Sequence, residues 1–117
     1  MNISELLCAA GRAIGYPAAQ DLYEGDSDRS ITFTYEDERT VLFADNEERE
    51  VTVFLMVSMN TPQDYNYLED KKRLKSELKA RGFLVESVQT WLEDTTKGVK
   101  KTRRTVFTVN ITGAVEE

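Results

Sequence analysis

The sequence predicts an α+β fold, a mainly antiparallel β-sheet with two helices packed on one face, in the order α-β-β-β-α-β-β. Three observations predict it. Two segments repeat apolar residues at helical spacing, and each ends at a glycine. Several other segments alternate or run as strands do. The strands follow one another through connections too short for parallel crossovers, which favours antiparallel neighbours with helices to one side. At 117 residues, with no repeat or linker, the chain reads as one domain spanning 1–117.

The first helix spans roughly residues 3–14. Ile3, Leu6, Leu7, Ala10 and Ile14 share a face, Asn2 is placed to cap, Glu5 follows as in a capping box, and Gly15 stops it. Residues 15–29 read as an irregular connection, with Gly15 and Pro17 as breakers and a polar turn at Glu24-Gly25-Asp26-Ser27-Asp28. Ile31, Phe33 and Tyr35 alternate with Thr32, Thr34 and Glu36, the pattern of a half-buried strand. Asp37-Glu38-Arg39 then reads as a hairpin loop leading to a short strand over Thr40–Ala44.

Residues 50–59 carry the strongest strand signal. Val51, Val53, Leu55, Val57 and Met59 fill one face, while Phe54 and Met56 make the other partly apolar, so the strand is expected to be central or to lie under a partner. Thr61-Pro62-Gln63-Asp64 reads as a helix start, with the helix running to about Arg81 and stopping at Gly82. Tyr67, Leu74 and Leu78, with Leu68 beside them, form its buried stripe; Asp70 and its charged neighbours form its wet face. Strands over 83–93 and 102–112 close the chain. Phe107, Val109 and Ile111 share one face, Val85 and Trp91 another, and the connection between the strands is expected to be mobile or ordered by a partner.

Composition narrows the function. The chain has no histidine, which removes the usual general base near neutral pH, the common zinc and iron ligand, and every Ser–His or Cys–His arrangement. Its single cysteine, Cys8, excludes a disulfide framework and reads as a partly buried thiol. No glycine-rich phosphate cradle or nucleophile elbow is present, and nothing sets two carboxylates apart in an apolar pocket. The expectation is no catalytic residue, no cofactor and no metal; Asp45-Asn46-Glu47-Glu48 reads as a polar turn, since it lacks the spacing of a calcium loop. A net charge of −6 opposes a dedicated nucleic-acid binder. No membrane-spanning run and no secretory leader is read, so the expected location is cytoplasmic.

Contact surfaces are therefore where function is sought. Residues 36–50 hold seven acids (Glu36, Asp37, Glu38, Asp45, Glu47, Glu48, Glu50) against Arg39 and Arg49, a local net charge of −5. Residues 97–104 hold Lys97, Lys100, Lys101, Arg103 and Arg104 with no acid, a net charge of +5. Two readings are open: solvated hairpin ends, or complementary patches that bind copies head to tail. Trp91 likewise reads as an interface anchor or as core beneath a helix. The candidate contact residues are Glu36, Asp37, Glu38, Glu47, Glu48, Trp91, Lys97, Lys100, Lys101, Arg103 and Arg104.

In order along the chain stand Gly15-Tyr16-Pro17-Ala18 after a short helix, Phe43-Ala44-Asp45-Asn46, the strand Val51–Met59, Thr61-Pro62-Gln63-Asp64, Gly82-Phe83 and Trp91-Leu92-Glu93-Asp94. With these the chain resembles, from about residue 2 to 113, the small tail-completion proteins of long-tailed bacteriophages and prophages, of the tail-terminator or head–tail joining type. It departs from them in Asp26-Ser27-Asp28-Arg29-Ser30, where such proteins often carry aromatic residues and proline, and in its basic hairpin loop. The resemblance implies a structural protein of the virion tail or head–tail junction, assembled in the host cytoplasm as a ring, usually a hexamer. Such a ring caps the tail tube and offers a surface to the head connector. Its implied partners are itself, the tail-tube protein, a head-completion or connector protein, and DNA passing without sequence specificity, with no membrane involved. The competing class is a small acidic intracellular inhibitor or adaptor on a basic partner; a carboxylate-based, metal-assisted enzyme is the third.

Overall fold

The computed structural model describes residues 1–94 and 101–114. Its elements are α1 (Ile3–Ile14), β1 (Ala18–Gln20), β2 (Ser30–Ala44), β3 (Glu47–Pro62), α2 (Leu68–Ala80), β4 (Leu84–Asp94) and β5 (Lys101–Ala114). This is the α+β order α-β-β-β-α-β-β, with one five-stranded sheet ordered β1-β2-β3-β5-β4. Every neighbouring pair is antiparallel except β1 with β2.

Helix α1 forms as its caps dictate. The Asn2 side chain accepts from the Glu5 N–H, and Gly15 adopts φ 80°, a left-handed conformation that costs glycine little. Ile3, Leu7, Ala10 and Ile14 are buried with Leu74 and Leu78 of α2 against Ile31, Phe33, Val51, Val53, Leu55, Val57, Met59, Phe107, Val109 and Ile111 of the sheet. Both helices therefore cover one face. β3 is central, as its two-sided apolar pattern predicts, and its odd-numbered residues from Val51 to Met59 face the helices.

The structure corrects five local expectations. Asp37-Glu38-Arg39 is not a hairpin loop: β2 runs straight through it, pairing Asp37, Glu38 and Arg39 with Phe54, Val53 and Thr52. Water reaches the strand there, so polar residues cost nothing in it. The turn lies instead at Asp45-Asn46, at φ 53° and 64°, the positive values that a two-residue hairpin turn of this hand requires. The three strands before α2 thus include the short β1, which lies inside the expected irregular connection.

Thr61-Pro62 does not start a helix. Both residues belong to β3, opposite Arg103 and Thr102 of β5, and α2 begins at Leu68. Val85 and Trp91 do not share a face, because Glu86 is an extra residue between the pairs Val85–Val109 and Ser87–Thr108. One inserted residue inverts the alternation. Val85 stays with the helices, and Trp91, opposite Arg104, emerges on the other side.

Asp70 does not lie on a wet helix face: it is 8% exposed. Its Oδ2 accepts from the Tyr16 hydroxyl at 2.7 Å and from the Tyr65 hydroxyl at 2.6 Å. Arg29 donates to the Tyr65 hydroxyl at 2.9 Å and stacks on the rings of Tyr16 and Tyr65. This clamp ties the 15–29 connection to α2. Burial and the Asp70 carboxylate push the Tyr16 phenol well above its ordinary range. Cys8 is a half-buried free thiol with its Sγ 3.9 Å from the Ala18 carbonyl oxygen.

Candidate contact surfaces

The sheet continues past its own helices. β5 ends opposite Glu50, at Ala114, and β1 covers β2 only from Ile31 to Phe33. Beyond that last described pair, Val41–Ala44 of β2 and Glu47–Arg49 of β3 continue as a two-stranded ribbon at one end of a molecule 56 Å long. Three extra residues, Glu36 and Val41 in β2 and Arg49 in β3, interrupt the β2–β3 pairing on the way to its tip and increase its twist.

Of the acidic candidates, Glu47 and Glu48 lie on the ribbon itself, and Glu36, Asp37 and Glu38 lie on β2 before it, where β5 still flanks β3. Glu36, Asp37, Glu38, Glu47 and Glu48 are all exposed. Asp37 accepts from Arg39 at 3.0 Å; that guanidinium and the Glu38 N–H hold its carboxyl below the usual carboxylate range. Glu47 pairs with Arg49 at 3.4 Å, and Glu48 accepts from the Thr40 hydroxyl. The same ribbon exposes three consecutive apolar residues, Val41 at 53%, Leu42 at 47% and Phe43 at 63%. The short apolar run was legible in the sequence, but its assignment to an ordinary sheet strand hid its exposure.

The cationic end lies at the other end of the sheet. Ten residues of β3 separate Glu50 from Asn60, the partner of Arg104, which is about 33 Å of extended chain. The sheet divides the two arginines between its faces. Arg103 lies on the helix side, stacked on Tyr67 at 4.8 Å and donating to the Gln63 carbonyl at 3.2 Å. Arg104 lies on the opposite side, where its Nε donates to Ser58 Oγ at 3.2 Å and its other nitrogen pairs with Glu93 at 3.5 Å. Lys101 is exposed. Lys97, Lys100 and the expectation of a mobile connection lie outside the described residues. The basic group is therefore not one patch: its two arginines face opposite ways and are already engaged.

No helix lies on the second face of the sheet among the described residues. Thr52, Phe54, Met56, Ser58 and Asn60 of β3 alternate onto it, with Arg104, Val106, Thr108 and Asn110 beside them on β5. Trp91 stands on this face at 39% exposure, its indole N–H donating to Glu93 at 2.8 Å. It is not under a helix, so the core alternative for Trp91 fails. Near Arg104 the chain after β1 curls over the face and leaves a hollow of about 270 Å³ bordered by Leu22, Tyr23, Thr32, Asn60 and Arg104, among others. Leu22 on its rim is 67% exposed. Nothing in the sequence pattern announced this hollow, because it depends on the path of the 15–29 connection.

Among the described residues, no three Asp, Glu or Cys side chains converge in a group able to hold a metal ion. No helix among them is long and apolar enough to cross a membrane. The sequence matches no protein-family model and no curated protein.

Proposed function

We propose that this protein is a non-enzymatic structural component of a phage tail or head–tail junction, a homo-oligomeric ring that caps the tail tube and joins it to the head connector. The observation that carries the reading is the pairing of two unlike, non-self-complementary surfaces at opposite ends of one chain. One is an acidic ribbon with an exposed apolar row. The other is an uncovered sheet face bearing Trp91 and Arg104. Unlike surfaces on one subunit make a heterologous contact, and heterologous contacts close into rings when the rotation permits. The motif order shared with tail-completion proteins supplies the assembly in which such a ring has a role.

The functional test is tube capping. Tail-tube protein polymerising alone and with this protein is compared by electron microscopy. The reading predicts shorter tubes with one decorated end, in proportion to the protein added. Tubes of unchanged length and bare ends overturn it. A single tight heterologous partner, with no effect on tubes and no self-association, establishes the inhibitor or adaptor class instead.

A further inference from the structure

We infer that the hollow beneath the chain after β1 binds one ring of a neutral polyhydroxylated ligand, a single sugar unit, against Asp21, Tyr23, Asn60 and Arg104. The inference needs only one chain and stands apart from the self-assembly proposed above.

The turn out of β1 builds the hollow. Asp21 takes φ 62°, a left-handed conformation that aspartate tolerates better than most side chains. Its N–H donates to the Phe33 carbonyl at 2.9 Å, and the Leu22 N–H donates to the Gln20 carbonyl at 2.7 Å. The chain thereby leaves the sheet edge and brings Leu22 and Tyr23 to one hollow with Ser30, Thr32, Asn60 and Arg104. Tyr23 is fixed within its loop. Its hydroxyl accepts from the Ser27 N–H at 3.1 Å, and it packs so closely on Gly25 that a side chain there would collide with it. A volume of about 270 Å³ lies at the small end for ligand sites, which suits one ring and not a chain of them.

The polar groups around the hollow select the chemistry. Asp21 only accepts, the Arg104 guanidinium only donates, and Asn60 with the hydroxyls of Tyr23, Ser30 and Thr32 does both. Much of this capacity is unspent. Asp21 makes no side-chain hydrogen bond or ion pair among the described residues. Asn60 donates to Ser30 and Thr32 only at 3.5 and 3.4 Å, the long limit of a hydrogen bond. Arg104 spends one N–H on Ser58 and one on Glu93, out of five.

Charge argues against ions. Asp21 and Arg104 are the two charges that border the hollow, and they cancel. An anion would approach Asp21 and a guanidinium that Glu93 already faces at 3.5 Å; a cation would approach that guanidinium. A zwitterion needs the same guanidinium for its carboxylate. An apolar ligand would strip water from the amide and hydroxyls without replacing it. Hydroxyl groups donate and accept at once, so they match the acceptor-only, donor-only and mixed groups together. Leu22, 67% exposed, and the Tyr23 ring offer the C–H face of a sugar an apolar wall.

Trp91, the only tryptophan, reads occupancy, because its indole N–H donates to the same Glu93 oxygen that Arg104 pairs with. The full chain is titrated with glucose, galactose, mannose and N-acetylglucosamine, and separately with acetate, free glycine and ethylammonium. Trp91 fluorescence and amide chemical shifts follow each titration. At least one sugar should saturate with a dissociation constant of about 1 mM and shift the amides of Leu22, Tyr23, Thr32 and Asn60. Asp21→Asn keeps a residue tolerant of the left-handed backbone, and Thr32→Val keeps a branched strand residue. Each should weaken the sugar about fivefold or more while the amide spectrum stays that of the folded protein. Absence of saturation by every sugar overturns the site. Sugar binding that both variants leave unchanged also overturns it, as does binding of acetate, free glycine or ethylammonium at these residues as tight as that of any sugar.

Discussion

Asp70→Ala tests whether the tyrosine clamp holds the 15–29 connection to α2. The Asp70 carboxylate accepts two short hydrogen bonds, from Tyr16 and Tyr65, and hydrogen bonds to a charged group contribute about 1.5–3 kcal/mol each. The Tyr16 ring is 2% exposed, so its hydroxyl would lose its partner with little water to replace it. Alanine is the better helix former by roughly half a kcal/mol, which offsets only a small part. The expected loss is about 3–4 kcal/mol, a large fraction of the roughly 5–15 kcal/mol typical of a domain. For a chain of this length that lowers the melting temperature by about 12–16 °C. Urea unfolding followed by circular dichroism and by Trp91 fluorescence reads it, with an unchanged slope against urea. Tyr16→Phe combined with Asp70→Ala should cost less than the two singles summed, by about 1–2 kcal/mol. If Asp70→Ala falls within about 0.5 kcal/mol of the unaltered protein, Asp70 behaves as a surface residue and the clamp is wrong.

Tyr16 also sets an alkaline limit. Its folded pKa lies above the unfolded value of 10.0, so its contribution is complete below pH 10 and is lost as pH rises through the higher folded value. Stability should fall above pH 10 by up to about 1.4 kcal/mol per pH unit, and Tyr16→Phe should flatten that limb in a urea series at rising pH. Gly11→Ala should destabilise by about 1 kcal/mol despite a gain of similar size in helix propensity, because the new Cβ would lie 2.7 Å from the Tyr16 carbonyl oxygen and 3.3 Å from Ala18 Cβ. A higher melting temperature for Gly11→Ala would contradict that packing. Thr61→Val should be neutral or stabilising by up to about 1 kcal/mol, since the Thr61 hydroxyl is fully buried without a hydrogen-bond partner. A loss above about 1 kcal/mol in urea unfolding would mean that the hydroxyl is bonded.

The parts of the fold that sequence foretold are those governed by local rules. Asn2, Glu5 and Gly15 bound α1 through their own backbone chemistry, Gly82 at φ 95° ends α2, and the two-sided apolar pattern of β3 marked it as central. The misplaced elements are those where a partner strand decided. Asp37-Glu38-Arg39 has loop composition, but β3 supplies its pairing and water accepts its side chains on both faces. Thr61-Pro62 has the form of a helix cap, yet β5 extends opposite it and keeps it in the sheet.

The contact surfaces were half legible for the same reason. Charge is visible along a chain, so the acidic and basic segments stood out. Facing is not: Glu86 inverts the alternation of β4 and turns Trp91 outward, while Arg103 and Arg104, adjacent in sequence, point to opposite sides. Asp70 was hidden by its charge, because its burial depends on the hydroxyl of Tyr16, 54 residues away, joining that of Tyr65 on its carboxylate.

The central claim is that one chain binds another through unlike ends and closes. Native mass spectrometry across a range of protein and salt concentrations tests it most directly. The account predicts a single closed oligomer, with six copies the stoichiometry implied by the tail-completion resemblance, that weakens as added salt screens the charged ends. A protein that remains monomeric at every concentration, or that stops at a symmetric dimer indifferent to salt, contradicts it.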